Sequence, residues 1–267
     1  MVRRVFPVSM CADTAESMDR DRKFQNDREC RSTQEDDLLT VRGASGRIGA
    51  EVLRLAALEK MPTTTDPEHA SVTVLALPTD AARQALAGLE GHSVIDMSGA
   101  VKRDGTGIYG LGAHPQPGVW YGNPGCIAAA VILAIRRSGV QVNGPLHISA
   151  VGGSSYAPRG QDGVLRVARR LHEHPHVPEI EAAIGGSIAS FVPIVSYGTE
   201  RGLVVSVSGT GAVQAQGEPF DAQAVVGTDG LLLRAVQAGP HFTLTAAIDN
   251  LSFPAAHAVR MAQALIR

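Results

Sequence analysis

Short apolar blocks separated by helical spacing mark the start of the ordered part of the chain. Three runs rich in Leu, Val and Ile, over 38–41, 72–77 and 93–97, predict buried strands. Between them, apolar residues recur with a helical period over 52–58 and again over 79–89. Strands that alternate with helices in this way predict a parallel sheet with right-handed crossovers.

The pattern changes after residue 126, where strands follow one another with few helices between them. Helices are predicted over 127–137, 165–173 and 255–266, and strands over 145–151, 192–207 (strand, turn, strand), 231–237 and 242–248. Strands without regular helical crossovers predict a mixed α+β unit with a largely antiparallel sheet.

Composition and charge narrow the class of protein. Apolar residues make up 44% and charged residues 19%, and the net charge of −2 lacks the basic footprint of a nucleic-acid-binding protein. No apolar run reaches the roughly 18 residues that cross a bilayer, so we expect neither nucleic acid nor membrane as a partner. Residues 9–37 are dense in polar residues and show no sustained apolar period, so residues 1–37 are predicted to be a disordered extension. The three cysteines lack disulfide or metal-ligand spacing, so we expect a reducing cytoplasm and no metal.

A glycine-rich segment joins the first predicted strand to the first helix. Its glycines permit a tight turn, after which the N–H groups that open the helix can hold a pyrophosphate. Glycines at such a junction also serve the turn alone. Only residues 59–70 separate this helix from the next strand, so the residue that reads the adenosine ribose is not identified. The predicted cofactor loop comprises Gly43, Ala44, Ser45, Gly46, Arg47, Ile48 and Gly49.

Cys126 is the candidate nucleophile. It follows Asn123, Pro124 and Gly125, and it precedes a run of helix formers, so we predict that it lies in the first turn of a helix. The positive end of a helix favours the thiolate by roughly 0.3–1 kcal/mol at an exposed site, and the thiolate is the form that attacks carbon. The alternative is a buried structural cysteine.

Asn-Pro-Gly-Cys before an apolar helix resembles the nucleophile motif of N-acetyl-gamma-glutamyl-phosphate reductases, a branch of the semialdehyde-dehydrogenase group. Aspartate-semialdehyde dehydrogenases carry Asn immediately before the cysteine, so Gly125 favours the first branch. His174-x-His176-x-Pro178-Glu179 is similar to the family's His-x-His-x-Pro-Glu motif. Further segments follow in the family's order over about residues 38–267: the glycine loop, Leu77-Pro78, Asp96-Met97-Ser98, Tyr109-Gly110-Leu111, Gly153-x-Ser155, Arg159, Phe191-Val192-Pro193, Arg201-Gly202, Gly227-Thr228 and Asp249-Asn250-Leu251.

The resemblance implies an α/β fold, in which a Rossmann-like parallel sheet domain carries an inserted α+β catalytic domain. The implied boundaries are 38–125 with 249–267 for the dinucleotide-binding domain and 126–248 for the catalytic domain. The implied activity is NADPH-dependent reduction of N-acetyl-gamma-glutamyl phosphate to N-acetylglutamate semialdehyde in arginine biosynthesis, through a cysteine thioester. NADP is the expected cofactor, with NAD as the alternative, and a homo-oligomer is expected.

The same resemblance assigns roles to single residues. Cys126 is the nucleophile, and His176, with His174 as second choice, manages protons because imidazole titrates near neutrality. The implied cofactor ligands outside the glycine loop are Pro78 and Asn250. The implied substrate ligands are Asn123, Ser155, Arg159, Glu179 and Arg201.

The chain departs from the family pattern shortly after Ser155 and shortly after Asn250. Tyr156 and Pro158 stand where glycines are usual, and Phe253, Pro254 and His257 replace a lysine and small residues. A reductase of another acyl phosphate, such as an aminoadipyl phosphate, and an inactive dinucleotide-binding relative therefore stay open. The glycine loop is also similar to that of dihydrodipicolinate reductases, which transfer hydride without a cysteine.

Overall fold

The described part of the chain folds around two sheets and the helices that cover them. The computed structural model describes residues 37–157, 165–167 and 173–266. Apart from Asp37, the extension predicted over 1–37 lies outside the described residues. The helices are α1 (Arg47–Leu58), α2 (Thr79–Leu86), α3 (Ala100–Asp104), α4 (Cys126–Ser138), α5 (His176–Ile184) and α6 (Ser252–Ile266). The strands are β1 (Leu39–Arg42), β2 (Val72–Leu75), β3 (Ser93–Asp96), β4 (Ile108–Tyr109), β5 (Trp120–Gly122), β6 (Gln141–Val142), β7 (Leu146–Gly153), β8 (Leu165–Val167), β9 (Ile188–Ser196), β10 (Leu203–Ala212), β11 (Leu232–Ala238) and β12 (His241–Ile248).

The first sheet is parallel throughout, in the order β1-β2-β3-β5-β4. Helices α1 and α6 pack on one face, where Leu39, Val52 and Val259 share a buried cluster. Helices α2 and α3 cover the other face, around Leu75 and Leu86. The predicted alternation of strands and helices in a parallel sheet is confirmed.

The second sheet runs β11-β12-β10-β7-β9-β8, and β6 pairs with β10. All its pairs are antiparallel except β7 with β9, so the largely antiparallel sheet that the sequence predicts is confirmed. Along β7 buried and exposed residues alternate, as expected for a sheet covered on one face. Helices α4 and α5 supply that cover, and α4 is buried along most of its length.

One predicted helix is wrong. Residues 165–167 form β8, which pairs antiparallel with β9, whereas a helix over 165–173 was expected. A short apolar run fits either period, and here the long-range pairing decides. None of the described helices has the length and apolar character that crossing a membrane requires.

Candidate active site

Cys126 is the first residue of α4, and Gly125 is the N-cap. The chain leaves β5 at Gly122, turns through Asn123 and Pro124, and enters the helix, so the predicted position of the cysteine in the first helical turn is confirmed. The turn places the cysteine beyond the carboxyl end of a parallel strand, where ligands bind in open α/β sheets.

His176 lies against the turn that precedes the cysteine. A Cβ on Gly125 would fall 2.0 Å from His176 Nε2 and 2.4 Å from its Cδ2, so only glycine admits the imidazole here. The ring of His174 is 4.7 Å from that of His176, and His174 Nδ1 accepts a hydrogen bond of 3.2 Å from the backbone N–H of His176. His176 Nδ1 is buried and has no hydrogen-bond partner among the described residues. The two motif histidines and the turn before Cys126 therefore form one cluster.

A buried carboxylate organises the same turn. Glu179, whose side chain is 6% exposed, accepts hydrogen bonds from the backbone N–H of Gly125 (2.9 Å) and from the hydroxyl of Tyr109 (2.8 Å). Lys102 Nζ donates to Glu179 Oε2 at 3.0 Å and to the carbonyl of Asn123 at 2.7 Å. Both ends of the turn thus depend on this ion pair.

Lys102 is a site residue that the sequence reasoning missed. It lies on α3, and the carboxylate of Asp96 at the end of β3 accepts hydrogen bonds from the backbone N–H of Val101 in that helix (2.9 Å) and from that of Ser98 before it (2.8 Å). Its stem crosses Gly122, where a Cβ would fall 2.2 Å from Lys102 Cγ. A lysine in a short helix that follows the carboxyl end of a strand was the available signal, but the ion pair with Glu179 joins residues 77 positions apart.

A cavity of about 620 Å³ opens beside this cluster. Its lining includes Gly125, His176, Glu179 and two cationic residues, Lys102 and Arg103. Because Lys102 and Glu179 pair with each other, Arg103 leaves the lining with net positive charge, which suits an anionic ligand.

Burial decides the protonation states of the site. Desolvation raises the pKa of the Cys126 thiol to about 12 although the residue itself is only partly buried, and it outweighs the helical N–H of Ile127, which lowers that pKa. Glu179 raises the same pKa further. Burial also lowers the pKa of His174 to about 4 and that of His176 well below its ordinary value. The helix end favours the thiolate as predicted, but desolvation exceeds that contribution and leaves a neutral thiol beside a neutral imidazole.

The side chain of Asn123 points away from this cluster. Its Nδ2 donates to the carbonyl of Pro254 at 3.0 Å, and its Oδ1 lies 2.7 Å from His257 Nδ1. Asn123 is 1% exposed, so its amide is not available to an oxyanion in this arrangement. His257, one of the departures from the family pattern, holds that amide in place, and burial lowers its pKa to about 4.

The glycine loop makes the tight turn that its sequence predicts. Gly43 has a φ of +89°, and a Cβ there would fall 2.3 Å from the carbonyl oxygen of Ala76. A Cβ on Gly49 would fall 2.2 Å from the carbonyl oxygen of Gly43. Gly46 is the N-cap of α1 and supplies no side-chain cap, so the first N–H groups of the helix are open to an anion. The loop fits a pyrophosphate.

Arg47, at the start of α1, makes a contact that the sequence did not predict. Its guanidinium donates to the backbone carbonyls of Ser154 (3.2 Å) and Ala157 (2.7 Å), in the turn that follows β7. It joins the glycine loop to the second sheet. Pro78, another predicted cofactor residue, is the N-cap of α2.

Three other predicted ligands meet at a polar junction between α1, α6 and the second sheet. Arg201 forms ion pairs with Glu51 (2.8 Å) and Asp249 (2.9 Å). Asn250 Nδ2 donates to Ser155 Oγ at 2.9 Å. The Arg201 guanidinium is therefore engaged by two carboxylates of the chain itself, and it does not line the cavity beside Gly125. Arg159 lies outside the described residues.

The fold and the site define a class by comparison with known proteins. No family model matches the chain. Three solved structures share its fold: a probable aspartate-semialdehyde dehydrogenase from Pseudomonas aeruginosa (TM-score 0.62, 18% identity, 86% of this chain and 98% of that one), aspartate semialdehyde dehydrogenase II of Vibrio cholerae (0.68, 12%, 86% and 98%), and an aspartate semialdehyde dehydrogenase from Candida albicans with NADP (0.58, 11%, 85% and 97%). The chain has the semialdehyde-dehydrogenase fold, and the predicted fold class is confirmed.

Its sequence is similar to a particular branch. The chain is 34% identical over 115 residues to the N-acetyl-gamma-glutamyl-phosphate reductase of Salinispora arenicola, which covers 39% of this chain and 33% of that protein. It is 31% identical over 97 residues to the reductase of the same name from Salinispora tropica, covering 32% and 29%. The match spans about a third of the length of these curated relatives, and it confirms the resemblance read from the motifs.

Proposed function

We propose that this protein reduces an acyl phosphate to an aldehyde through a thioester on Cys126, with NADPH as the reductant. N-acetyl-gamma-glutamyl phosphate is the leading substrate, since the sequence relatives carry that name. The observation that carries the proposal is the position of Cys126 at the start of α4, next to His176 and Glu179 and to a cationic cavity.

Because the thiol and the imidazole are both neutral, the first proton transfer runs from Cys126 to His176. As Cys126 Sγ attacks the acyl carbon, His176 Nε2 accepts the thiol proton, because burial keeps that imidazole unprotonated. The bond from the acyl carbon to the phosphate oxygen breaks, and phosphate leaves with a proton from solvent. Lys102 and Arg103 stabilise the departing dianion from the cavity wall.

The remaining step regenerates the thiol. Reduced nicotinamide, when bound, supplies a hydride to the thioester carbon. The carbon–sulfur bond then breaks, and His176 returns its proton to Cys126 Sγ. Glu179 holds the turn through the N–H of Gly125 throughout, so we assign it a positioning role rather than direct contact with the substrate.

The glycine loop is the proposed cofactor site. The open N–H groups at Gly46 and the start of α1 would hold the pyrophosphate, and Pro78 and Asn250 remain proposed neighbours of the cofactor. The proposed dinucleotide-binding domain comprises 38–125 and 249–267, and the packing of α6 against α1 supports the return of the chain to that domain. Residues 126–248 are the proposed catalytic domain.

Several of the predicted substrate ligands are proposed with a changed role. Arg159 stays a proposed ligand of the substrate carboxylate. Arg201, Ser155 and Asn250 contribute to the polar junction between the sheets, so they are proposed to orient the site without reaching the acyl group. Assembly into a homo-oligomer stays a prediction from the resemblance.

The test is the reverse reaction. Purified protein is given N-acetylglutamate semialdehyde, inorganic phosphate and NADP, and the reduced cofactor is followed by its absorbance. Turnover that needs phosphate and is lost in Cys126→Ser supports the proposal, with Arg137→Ala, an exposed position at the far end of the same helix, as the matched control. Turnover that survives in Cys126→Ser indicates hydride transfer without a thioester, and absence of turnover with NADP or NAD contradicts the proposal. Activity only with an aminoadipyl semialdehyde would support the thioester route and would replace N-acetyl-gamma-glutamyl phosphate by an aminoadipyl phosphate as the substrate.

A second candidate function is dinucleotide binding without turnover. The observation that favours it is the raised pKa of Cys126, which leaves almost no thiolate at neutral pH in the absence of substrate. Such a protein would bind NADPH and show no thiol-dependent reaction with any semialdehyde.

A further inference from the structure

The first strand of the parallel sheet has a nearly free outer edge. β1 ends the strand order, and beyond it the chain contributes one isolated bridge, between Leu39 and Thr63. Leu39 uses its outward backbone groups on Pro62 and Thr64. Among the described residues no such bond continues beyond Leu39 towards the carboxyl end of β1.

In a dinucleotide-binding fold the strand at this place carries, at its carboxyl end, the residue that reads the adenosine ribose. Here the connection from α1 to β2 starts and ends beside the first residues of β1, since Thr64 donates to Leu39 and Ser71 donates to Leu38. Asp66, the acidic residue in that connection, accepts from the backbone N–H of Glu68 and lies 2.8 Å from a ring nitrogen of His69. The usual ribose reader is therefore missing from the carboxyl end of this edge.

Arg42 stands at that carboxyl end. It is the last residue of β1 and directly precedes Gly43, the first glycine of the cofactor loop. Leu39 and Val41 face α1 and α6, so strand alternation directs Arg42 to the opposite face of the sheet. Arg42 is only partly buried, and its guanidinium has no hydrogen bond or ion pair to any described residue.

We infer that Arg42 binds the 2′-phosphate of NADP(H) in place of the missing strand. A guanidinium binds phosphate through two parallel hydrogen bonds, and an arginine near the loop is the usual means of accommodating a 2′-phosphate. The strand direction brings this cation to the edge where the adenosine half of a cofactor held by the glycine loop would lie. This inference rests on the proposed cofactor site, and it makes Arg42 the residue that selects NADP over NAD.

The test measures binding and needs no turnover. Dissociation constants for NADPH and NADH are determined by cofactor fluorescence on the full chain, for the wild type, Arg42→Ala and Arg234→Ala, an exposed strand arginine of the other sheet. The wild type is expected to prefer NADPH, and Arg42→Ala should weaken NADPH binding by about 10- to 100-fold while NADH binding stays unchanged. Arg234→Ala should change neither constant.

A second measurement uses only the wild-type protein, so its result does not depend on whether a variant folds. Adenosine 2′,5′-bisphosphate should compete with NADPH on the wild type far better than adenosine 5′-phosphate does. Equal binding of NADPH and NADH by the wild type, or an equal loss of both in Arg42→Ala, overturns the inference and leaves the proposed function standing. Failure of both cofactors to bind overturns the proposed function, and this inference with it.

Discussion

Replacing Gly125 with alanine tests whether the contact between the pre-cysteine turn and His176 matters for activity. The new Cβ would lie 2.0 Å from His176 Nε2, 2.4 Å from Cδ2 and 2.9 Å from Cε1. Ordinary contact begins at 3.4 Å, so the imidazole has to withdraw by about 1.4 Å. The backbone itself tolerates alanine, since Gly125 has a φ of −67°. The change is therefore a displacement of one side chain by a known amount.

The size of the effect follows from that displacement. A shift of about 1 Å in a catalytic group costs on the order of 100-fold in rate, so we expect kcat of Gly125→Ala to fall by about that factor. Forcing an extra methyl group into this packed site should also reduce the free energy of unfolding by about 1–3 kcal/mol. The assay is the phosphate-dependent formation of NADPH from N-acetylglutamate semialdehyde, with urea unfolding measured on the same preparations.

Gly88→Ala is the matched control, because no atom lies within 4 Å of the Cβ that it would add. It should keep wild-type turnover. A Gly125→Ala protein that is folded and turns over at the wild-type rate would refute the idea that His176 works from this position.

The remaining predictions concern charge. Since burial raises the pKa of the Cys126 thiol to about 12, its alkylation by iodoacetamide, followed by peptide mass spectrometry, should rise about tenfold per pH unit from pH 7 to 11; a plateau near pH 7 would contradict this. Lys102→Met removes the partner of Glu179 and a cation that lowers the thiol pKa, so at a given pH alkylation should slow and turnover fall; an unchanged pH profile would contradict the ion pair's role. Although burial opposes the change, hydrogen bonds from Arg54, Arg201 and Ser252 lower the pKa of Glu51 from 4.5 to about 2, so its contribution to stability is complete above pH 4.5 and is lost as the pH falls towards 2. In urea unfolding, Glu51→Gln should therefore cost about 3 kcal/mol at pH 7 and progressively less towards pH 2; a cost independent of pH would contradict the ion pair.

Local features of the fold could be predicted from the sequence because they depend on neighbouring residues. The strand before Gly43 and the helix after it follow from apolar spacing and turn chemistry. The position of Cys126 at a helix start follows in the same way from the turn residues before it. The helix predicted from residue 165 was wrong, because the three residues 165–167 carry too little periodicity to distinguish a strand from a helix.

The side-chain partners could not be predicted, because they join distant parts of the chain. Arg201 was expected to bind substrate, but its carboxylate partners Glu51 and Asp249 come from segments far away in the sequence. The amide of Asn123 is drawn away from the cysteine by His257, 134 residues later. The raised pKa of the Cys126 thiol could not be predicted for a related reason, since desolvation depends on everything packed around Cys126 and the sequence indicated only the helix end.

The most direct test of the thioester on Cys126 omits phosphate. If the proposed thioester forms, protein mixed with N-acetylglutamate semialdehyde and NADP alone completes hydride transfer but does not release the acyl group. We expect a single burst of NADPH equal to the protein concentration, and an acyl adduct that peptide mapping places on Cys126. Added phosphate should release the acyl group as an acyl phosphate. A burst with no adduct on Cys126, or continued turnover without phosphate, would contradict the thioester on Cys126.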